Sequence, residues 1–339
     1  MSRIQSRIKK LKQLIYPRCI ILMYHRIGTT ESDIWQLSVE AKNFEAHLHH
    51  LKKNESVISL PTLVQQVREK KIKKRAIAIT FDDGYLDNFT LAKPLLEKYG
   101  LPATFFITSK NINKPEEFWW DKLEYILLHS PELPRIFRLQ VHDFDVVFDL
   151  QDETSLSQDM KDIHREYQAF ENGTRRAELY CKIWEKLSPM TGVRQELIME
   201  EISNWAGKTE NRKTYQCMTD DNIKTLANAK LFQTGVHTVS HPALSYHSKD
   251  IQLAEIEDNK KFVESVTHRE ANYIAYPSGK YNSDTLEIVR DLKFEGGVTT
   301  NEKTISHKSD SYRLGRFQVN NWDVPTFEKK LAKWFMYDD

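Results

Sequence analysis

The chain has 339 residues, and its 49 Lys and Arg against 48 Asp and Glu give a formal net charge of +1. This length suits one large domain with an insertion and leaves ample chain for a buried core. The balanced charge gives no reason to expect nucleic acid or an anionic membrane as a partner. Three widely spaced cysteines favour free thiols in a reducing compartment over a disulfide framework.

The N-terminal segment, residues 1–18, is basic and carries apolar residues at helical spacing. Such an amphipathic helix either packs on the domain or rests on a membrane surface. Neither a secretory leader nor an apolar run of the roughly eighteen residues that a membrane span needs can be recognised. We therefore expect a cytoplasmic protein, with peripheral membrane contact through residues 1–18 as an alternative. The sequence does not indicate an oligomeric state.

Short apolar strands alternate with helices in two parts of the chain, before residue 108 and after residue 216. This alternation is typical of a mostly parallel sheet or barrel that is covered by helices. The predicted strands are 19–24, 56–60, 76–79, 103–107, 231–236, 272–276, 297–299 and 313–319, and the predicted helices are 39–53, 91–99, 220–229, 251–267, 284–292 and 326–335.

The rhythm changes between about residues 111 and 215. Residues 137–150 alternate apolar and polar side chains and predict a hairpin, whereas 159–187 and 194–205 are charged and helical in period. We interpret 111–215 as a largely helical insertion or lid. Trp119 and Trp120, at the start of its first helix, either stack against a sugar ring or belong to the core.

Two adjacent carboxylates, Asp82 and Asp83, follow the predicted strand 76–79 and precede Gly84. Because side chains alternate along an extended chain, we expect the two carboxylates to point in different directions. One would then bind a cation, and the other would be free to move a proton. The alternative is a plain Asp-Gly turn between a strand and a helix.

His237 and His241 are four residues apart, a spacing that on a helical turn places both imidazoles within reach of one divalent ion. His237, like Asp83, comes directly after a predicted strand, and in a parallel α/β fold the carboxyl ends of the strands meet on one face. Two histidines and one carboxylate with an open position are typical of catalytic zinc, although iron, cobalt and nickel suit the same ligands. The residues expected on this face are His25, Asp82, Asp83, His237, His241 and Pro277.

The sequence Thr-Phe-Asp-Asp-Gly at 80–84 and the sequence His-Thr-Val-Ser-His at 237–241 resemble the first two signature motifs of the polysaccharide deacetylases, carbohydrate esterase family four. The sequence Ala-Tyr-Pro-Ser-Gly at 275–279 resembles a variant of the third motif. The resemblance covers roughly 20–108 and 216–320. It implies that residues 19–339 form a distorted (β/α) barrel of seven or eight strands, interrupted by the insertion. It also implies removal of acetyl groups from N-acetylated amino sugars.

The resemblance further implies that Asp83, His237 and His241 bind the metal and that Asp82 is the general base. A metal lowers the pKa of a bound water to about 7, and Asp82 would accept the proton of that water as it attacks the acetyl carbonyl. The main-chain N–H of Tyr85 is a candidate for stabilising the oxyanion. The residues predicted to contact the substrate are Tyr85, Trp119, Tyr276, Pro277 and Arg316.

Two departures from the family pattern concern the base and the acid. Ala275 stands where relatives often have an arginine that orients the base, so Arg313 or Arg316, from a neighbouring strand, is the candidate replacement. The late Leu-x-x-His motif that usually supplies the general acid is missing. His25, at a strand end beside the first motif, is our preferred acid over His307.

These features predict a metal-dependent hydrolase, most simply with Zn²⁺, that de-N-acetylates an amino sugar in a glycan, a glycolipid or a nucleotide-sugar precursor. One alternative is a catalytically silent barrel that binds sugar, against which the intact Asp82 argues. A second alternative is a deacylase of a non-sugar amide or an ester.

Overall fold

A computed structural model describes residues 17–72, 74–208 and 210–337. Most of the predicted basic N-terminal segment, residues 1–16, lies outside the described residues. The strands are β1 (Cys19–Tyr24), β2 (Arg26–Ile27), β3 (Ser38–Val39), β4 (Ala76–Phe81), β5 (Ala103–Ile107), β6 (Ile136–Val141), β7 (Phe144–Asp149), β8 (Phe232–Val236), β9 (Tyr273–Ala275), β10 (Gly296–Val298) and β11 (Phe317–Gln318).

The helices follow the predicted periodic segments closely. They are α1 (Ala41–Asn54), α2 (Leu60–Arg68), α3 (Lys93–Tyr99), α4 (Trp119–Glu124), α5 (Gln158–Glu166), α6 (Arg175–Leu187), α7 (Gly192–Trp205), α8 (Asp220–Asn228), α9 (Lys249–Thr267), α10 (Ser283–Asp291) and α11 (Val324–Trp334). Short 3₁₀ turns cover Lys213–Tyr215, Leu244–Tyr246 and Pro277–Gly279, and π-helical turns cover Asn88–Ala92 and Tyr125–His129.

Seven parallel strands form one curled sheet in the order β10-β9-β8-β5-β4-β1-β11. Its two ends approach each other through the segment before β11, because Leu314 bridges Val298 of β10 while Phe317 pairs with Leu22 of β1. The predicted distorted barrel is therefore confirmed, with seven strands. The predicted strand 313–319 is shorter than expected, since only Phe317–Gln318 pairs continuously.

Alternate residues of the buried strands point into two different apolar cores, because successive side chains of a pleated strand lie on opposite faces. Ile20 and Leu22 of β1 belong to the larger core beneath the surrounding helices. Cys19 and Ile21 belong to a smaller core, which also contains Phe106 of β5. Every residue of β1 and β4 is buried because helices or barrel interior cover both faces of a parallel sheet.

The chain between β5 and α8 carries the hairpin β6–β7 and helices α4 to α7, and the hairpin predicted at 137–150 is present. These elements enclose a third apolar core, with Phe137 and Phe144 from the hairpin and Tyr180 and Ile183 from α6. The insertion is therefore largely helical, as predicted. The exact division at 111 and 215 stays a prediction.

Two helix ends are formed by residues whose chemistry suits a helix terminus. Thr219 caps α8 in a reciprocal pair with Asn222, and Gly100 ends α3 in the left-handed conformation with φ 61°. The short strand predicted at 56–60 is instead one bridge between Val57 and Ile77, because α2 begins at Leu60. None of the helices in the described ranges is long and apolar enough to cross a membrane. All three cysteines are buried and free.

Candidate active site

Asp82 and Asp83 follow the carboxyl end of β4, and both residues are only 2 % exposed. Asp83 has a positive φ of 73°, so the alternation of an extended strand stops at this residue. Both carboxylates therefore reach the same cluster, and Asp82 Oδ2 and Asp83 Oδ1 lie 3.9 and 3.4 Å from the same His237 Nε2. This corrects the expectation that the two side chains diverge.

His237 and His241 lie on a loop after β8 and not on the helical turn that their spacing suggested. Thr238 and His241 both have positive φ, 66° and 59°, and the main-chain N–H of His241 donates to Thr238 Oγ1 at 3.1 Å. This tight loop brings His241 Nε2 to 3.6 Å from Asp83 Oδ1. The two imidazoles thus meet Asp83 through a folded loop, with ring centroids 4.9 Å apart.

The donor set of Asp83, His237 and His241 fits a divalent cation. Their ligand atoms lie within 4.8 Å of one another, and among the described residues Asp83 Oδ1 is buried without a hydrogen-bond partner. His237 Nδ1 lies 2.8 Å from the Ala275 carbonyl oxygen, which can only accept, so Nδ1 carries a proton and Nε2 is the nitrogen left to bind a cation beside Asp83. Burial lowers the pKa of His241 to about 4, which keeps this imidazole in the neutral form that binds metal.

Asp82 is held by Arg316 in a buried bidentate ion pair, with N–O distances of 2.7 and 2.6 Å. Arg316 is fully buried, and it also donates to the carbonyl oxygen of Thr299 at 2.9 Å. Burial alone would raise the pKa of Asp82, but the nearby charges, first that of Arg316, hold it well below its usual range. Arg313 is exposed and pairs with Asp310. Of the two arginines that the sequence offered as partners of Asp82, the structure therefore selects Arg316.

His25 follows β1 and lies in the same cavity, with Nε2 4.0 Å from Asp82 Oδ2 and 14 % of its side chain exposed. Burial lowers the pKa of His25. His307 lies outside the lining of this cavity, in a loop that the structure describes. Of the two candidate acids, only His25 is therefore near Asp82.

The cavity around these residues has a volume of about 350 Å³, within the range of small-ligand sites. Besides the five polar residues already described, the cavity is lined by four tryptophans and several further polar side chains. The tryptophans are Trp35, Trp119, Trp120 and Trp184, and the further polar residues are Ser188, Ser278, Thr300, Glu302 and Gln318.

Three of the side chains predicted to contact substrate are fully buried and form hydrogen bonds with other groups of the protein. The Tyr85 hydroxyl donates to Asp121 Oδ2 at 2.7 Å and accepts the indole N–H of Trp120 at 3.0 Å. The Tyr276 hydroxyl donates to the Tyr312 carbonyl oxygen at 2.9 Å, and Arg316 is occupied by Asp82.

Tyr85, Tyr276 and Arg316 are not among the residues that line the cavity, so their predicted contact with the substrate gains no support from the structure. Pro277 is likewise buried, and its neighbour Ser278 lines the cavity instead. Trp119 does line the cavity. The role of the Tyr85 main-chain N–H stays a prediction.

Sequence reasoning missed Trp35 and Trp184, which line the cavity from outside the motif-bearing strand ends. Trp35 lies in the loop after β2, and Trp184 lies on α6 of the inserted region. No spacing in the sequence connects either residue with Asp82 or His237. Trp120, by contrast, packs its ring 4.8 Å from that of His241, so one member of the predicted Trp-Trp pair supports a candidate ligand.

Residues 69–176 and 201–297, together more than half of the chain, match the family model for polysaccharide deacetylase. The chain belongs to the polysaccharide deacetylase family. Members are hydrolases that act on the amide bonds of N-acetylated sugars, and this chain is such a hydrolase. The predicted family is therefore confirmed.

Individual relatives support this assignment, and the similarity extends over most of each protein. A poly-β-1,6-N-acetyl-D-glucosamine N-deacetylase of Staphylococcus epidermidis is 21 % identical over 343 residues, covering 97 % of this chain and 88 % of that protein. Among solved structures, IcaB from Ammonifex degensii has a TM-score of 0.58 at 14 % identity and covers 94 % of this chain and 97 % of its own. The Streptococcus pyogenes deacetylase PplD has a TM-score of 0.53 at 19 % identity, covering 93 % and 98 %. The structural matches support the barrel fold.

Proposed function

We propose that this polysaccharide deacetylase hydrolyses the acetamide of an N-acetylated amino sugar and uses a divalent cation, most simply Zn²⁺, held by Asp83, His237 and His241. The observation that carries the proposal is the buried Asp82–Arg316 ion pair beside these three ligands. A barrel that only bound sugar would have no use for a carboxylate kept ionised in this place. The Staphylococcus epidermidis relative makes polymeric N-acetylglucosamine the first substrate to test.

The proposed reaction begins with Asp82, which accepts a proton from the attacking water. The bound cation would supply Lewis acidity, lowering the pKa of a water to about 7 and polarising the acetyl carbonyl. Two of the hydrogen-bonding positions on Asp82 are taken by Arg316, and this fixes the orientation of the carboxylate in the cavity. Arg316 is thus a positioning residue, and it does not contact the substrate.

His25 is the proposed general acid, because it is the imidazole in the cavity that does not belong to the ligand set. It would donate a proton to the sugar nitrogen while the carbon–nitrogen bond breaks. The products are acetate and the free amino sugar. Such proton transfer typically contributes on the order of 10²–10⁴-fold to a rate.

The test measures acetate release from N-acetylglucosamine oligomers by metal-free protein with and without Zn²⁺. Asp82→Asn and His25→Ala should lower release in the Zn²⁺-loaded protein, and His237→Ala should also lower the bound zinc measured by mass spectrometry. His307→Ala is the matched control and should retain both activity and zinc. Zinc binding without acetate release from any amino-sugar donor would contradict the proposed reaction and favour a sugar-binding barrel.

We further propose a cytoplasmic location, with residues 1–18 as a peripheral membrane contact. The three buried free cysteines support a reducing compartment. Fractionation of cells that express the chain with and without residues 1–18 tests both parts. Protein recovered only from the extracellular fraction contradicts the location.

A further inference from the structure

Residues 237–241, which we call the ligand loop, depend on contacts from other segments for their shape. Two of these residues, Thr238 and His241, have positive φ, a conformation that non-glycine residues keep only when their surroundings impose it. Ser240 lies between them in the chain. The groups that hold Ser240 therefore also determine where the ligand loop places the imidazole of His241.

Helix α9 supplies the first of these contacts. The carboxylate of Glu255 accepts the main-chain N–H of Ser240 at 2.8 Å and its hydroxyl at 2.6 Å. The main-chain N–H of Val239 donates to the Glu255 carbonyl oxygen at 3.1 Å, and that of His237 donates to Asn259 Oδ1 at 3.1 Å. Turning the Ser240 side chain away from Glu255 would break a hydrogen bond to a charged group, so this side chain is fixed in place.

A second contact comes from the inserted region, through the first residue of α7. A Cβ atom placed on Gly192 would lie 2.6 Å from Ser240 Cβ and 2.7 Å from Ser240 Oγ, much closer than non-bonded atoms approach each other. Gly192 is buried, and Ser240 is 9 % exposed. Only a residue without a side chain therefore fits against the ligand loop at this position of α7.

Lys110, in the loop after β5, connects the same two segments. Its main-chain N–H donates to the Val239 carbonyl oxygen at 2.9 Å. Its ammonium group donates to the Gly192 carbonyl oxygen at 3.0 Å and lies 2.7 Å from Glu196 Oε1. One lysine thus joins the first turn of α7 to the ligand loop.

The contact from α7 belongs to a part of the chain that the family model does not match. The matched residues are 69–176 and 201–297, so Gly192 and Glu196 fall between the two ranges, whereas Lys110 and Ser240 lie within them. The ligand loop is therefore in the matched part of the chain, and one of its supports is in the unmatched part.

We propose that Gly192 is a positioning residue for the proposed metal centre. Its close fit against Ser240 lets α7 support the ligand loop in the shape that brings His241 to the cation. This inference rests on the proposed function, because it requires that His237 and His241 bind a cation. Groups that orient metal ligands typically change the metal affinity by about 10–100-fold when they are altered. The inserted region thus helps to set how tightly the cation is held.

The main alternative is that Gly192 serves only the packing of the inserted region. A side chain at position 192 would then have the same effect whichever residue stands at position 240. Under the proposal, the effect of a side chain at position 192 depends on the side chain of Ser240. Alanine is a better helix former than glycine, so Gly192→Ala does not weaken α7 itself.

The test is a double-mutant cycle in which chelator competition measures the dissociation constant of Zn²⁺. Gly192→Ala should raise this constant about tenfold in the wild-type background, because the new methyl group displaces Ser240. In a Ser240→Gly background, which lacks the atoms that the methyl group would meet, Gly192→Ala should change the constant by about twofold at most. An equal increase in both backgrounds overturns the proposal, and so does an unchanged constant in Gly192→Ala.

Gly173→Ala is the matched control, because a Cβ atom on Gly173 would lie 2.5 Å from the ring of Tyr167, inside the inserted region. Its zinc dissociation constant should equal that of the wild type, even if the melting temperature falls. An increase as large as that in Gly192→Ala would show that any disturbance of the inserted region loosens the cation, and it would overturn the specific role of Gly192.

A second pair of variants applies if Gly192→Ala does not fold, as judged by circular dichroism. Lys110→Met removes the hydrogen bond to the Gly192 carbonyl oxygen and should also raise the zinc dissociation constant. Lys114→Met, at an exposed position of the same loop, should leave the constant as it is in the wild type. An unchanged constant in Lys110→Met overturns the proposal.

Failure of the proposed reaction is recognised separately. Wild-type protein that binds Zn²⁺ but releases no acetate contradicts the hydrolysis, and the zinc dissociation constants still decide whether Gly192 positions the ligand loop. Wild-type protein that binds no Zn²⁺ overturns both the metal centre and this inference.

Discussion

Arg316 and Asp82 form a bidentate ion pair although 234 residues separate them in the chain. The arginine comes from the segment just before β11, whereas the carboxylate follows β4, and β1 lies between these two strands in the sheet. Both side chains are almost completely buried. The orientation of the proposed base therefore depends on the correct closure of the barrel.

Replacing Arg316 by Lys should lower kcat/KM about 10²-fold, because a lysine keeps the charge but cannot bind the carboxylate through two parallel hydrogen bonds. Zinc content should remain that of the wild type. Arg316→Ala should lower the free energy of unfolding by about 3–5 kcal/mol, since it leaves a buried carboxylate unpaired. Steady-state kinetics and urea unfolding measure the two effects. Arg313→Lys, at an exposed arginine, is the control, and an equal loss there would contradict the role of Arg316.

Tyr85→Phe should destabilise the protein by about 1–3 kcal/mol, because it leaves the carboxyl of Asp121 and the indole N–H of Trp120 without partners in a buried place. Since Trp120 packs against His241, we also expect weaker zinc affinity, by about tenfold. Chelator competition measures the affinity. Tyr99→Phe, which removes a hydroxyl bonded to Glu45 near the surface, should change neither quantity. Unchanged stability in Tyr85→Phe would show that these bonds are dispensable.

His164 should make the protein less stable in mild acid. Its Nδ1 lies 2.9 Å from the Leu128 carbonyl oxygen, and burial lowers the pKa of this fully buried imidazole to about 4, against about 6.5 in the unfolded chain. Between these values the unfolded state binds more protons, so this contribution to stability is complete above pH 6.5 and is lost as the pH falls towards 4.

Urea unfolding between pH 4 and 7 measures the effect of His164. His164→Gln should make the free energy of unfolding less dependent on pH, by an amount on the order of 2 kcal/mol across the window. His49→Gln, at an exposed position of α1, should leave the slope as it is in the wild type. An unchanged slope in His164→Gln would contradict the assignment.

Removal of metal should lower the thermal stability of the protein. A ligand that binds only the folded state stabilises it by about 2.7 kcal/mol when present at one hundred times its dissociation constant. Calorimetry of chelator-treated protein with added Zn²⁺ should therefore show a rising melting temperature. His241→Ala should abolish most of the rise, whereas His49→Ala should not. A rise of equal size in His241→Ala would place the ion elsewhere.

The barrel and the strand ends that carry the motifs could be predicted from the sequence, because apolar periodicity reveals the strands. The meeting of Asp83, His237 and His241 was expected from the family resemblance, and their role as metal ligands stays a prediction. The directions of these three side chains were harder to predict. A non-glycine residue with positive φ costs roughly 1–2 kcal/mol, so Asp83, Thr238 and His241 adopt it only because the surrounding fold imposes it. Local rules of alternation or helical spacing therefore fail at these residues.

Other parts of the site depend on contacts between distant segments. The sequence alone does not distinguish Arg313 from Arg316 as the partner of Asp82. Only the path of the segment before β11 decides which of the two reaches the carboxylate. Trp35 and Trp184 meet because the inserted helix α6 packs beside the loop after β2, through the bond from Trp35 to Tyr180. No periodicity within either segment predicts this contact.

The placement of Arg316 also bears on how the enzyme becomes active during synthesis. A ribosome completes Asp82, Asp83, His237 and His241 well before it adds residue 316. A nascent chain of that length already carries every proposed metal ligand, yet its base lacks the partner that orients it. A truncated product that ends before residue 316 should therefore retain zinc-binding side chains without deacetylating anything, and catalytic competence should arrive only when the last strand joins the sheet.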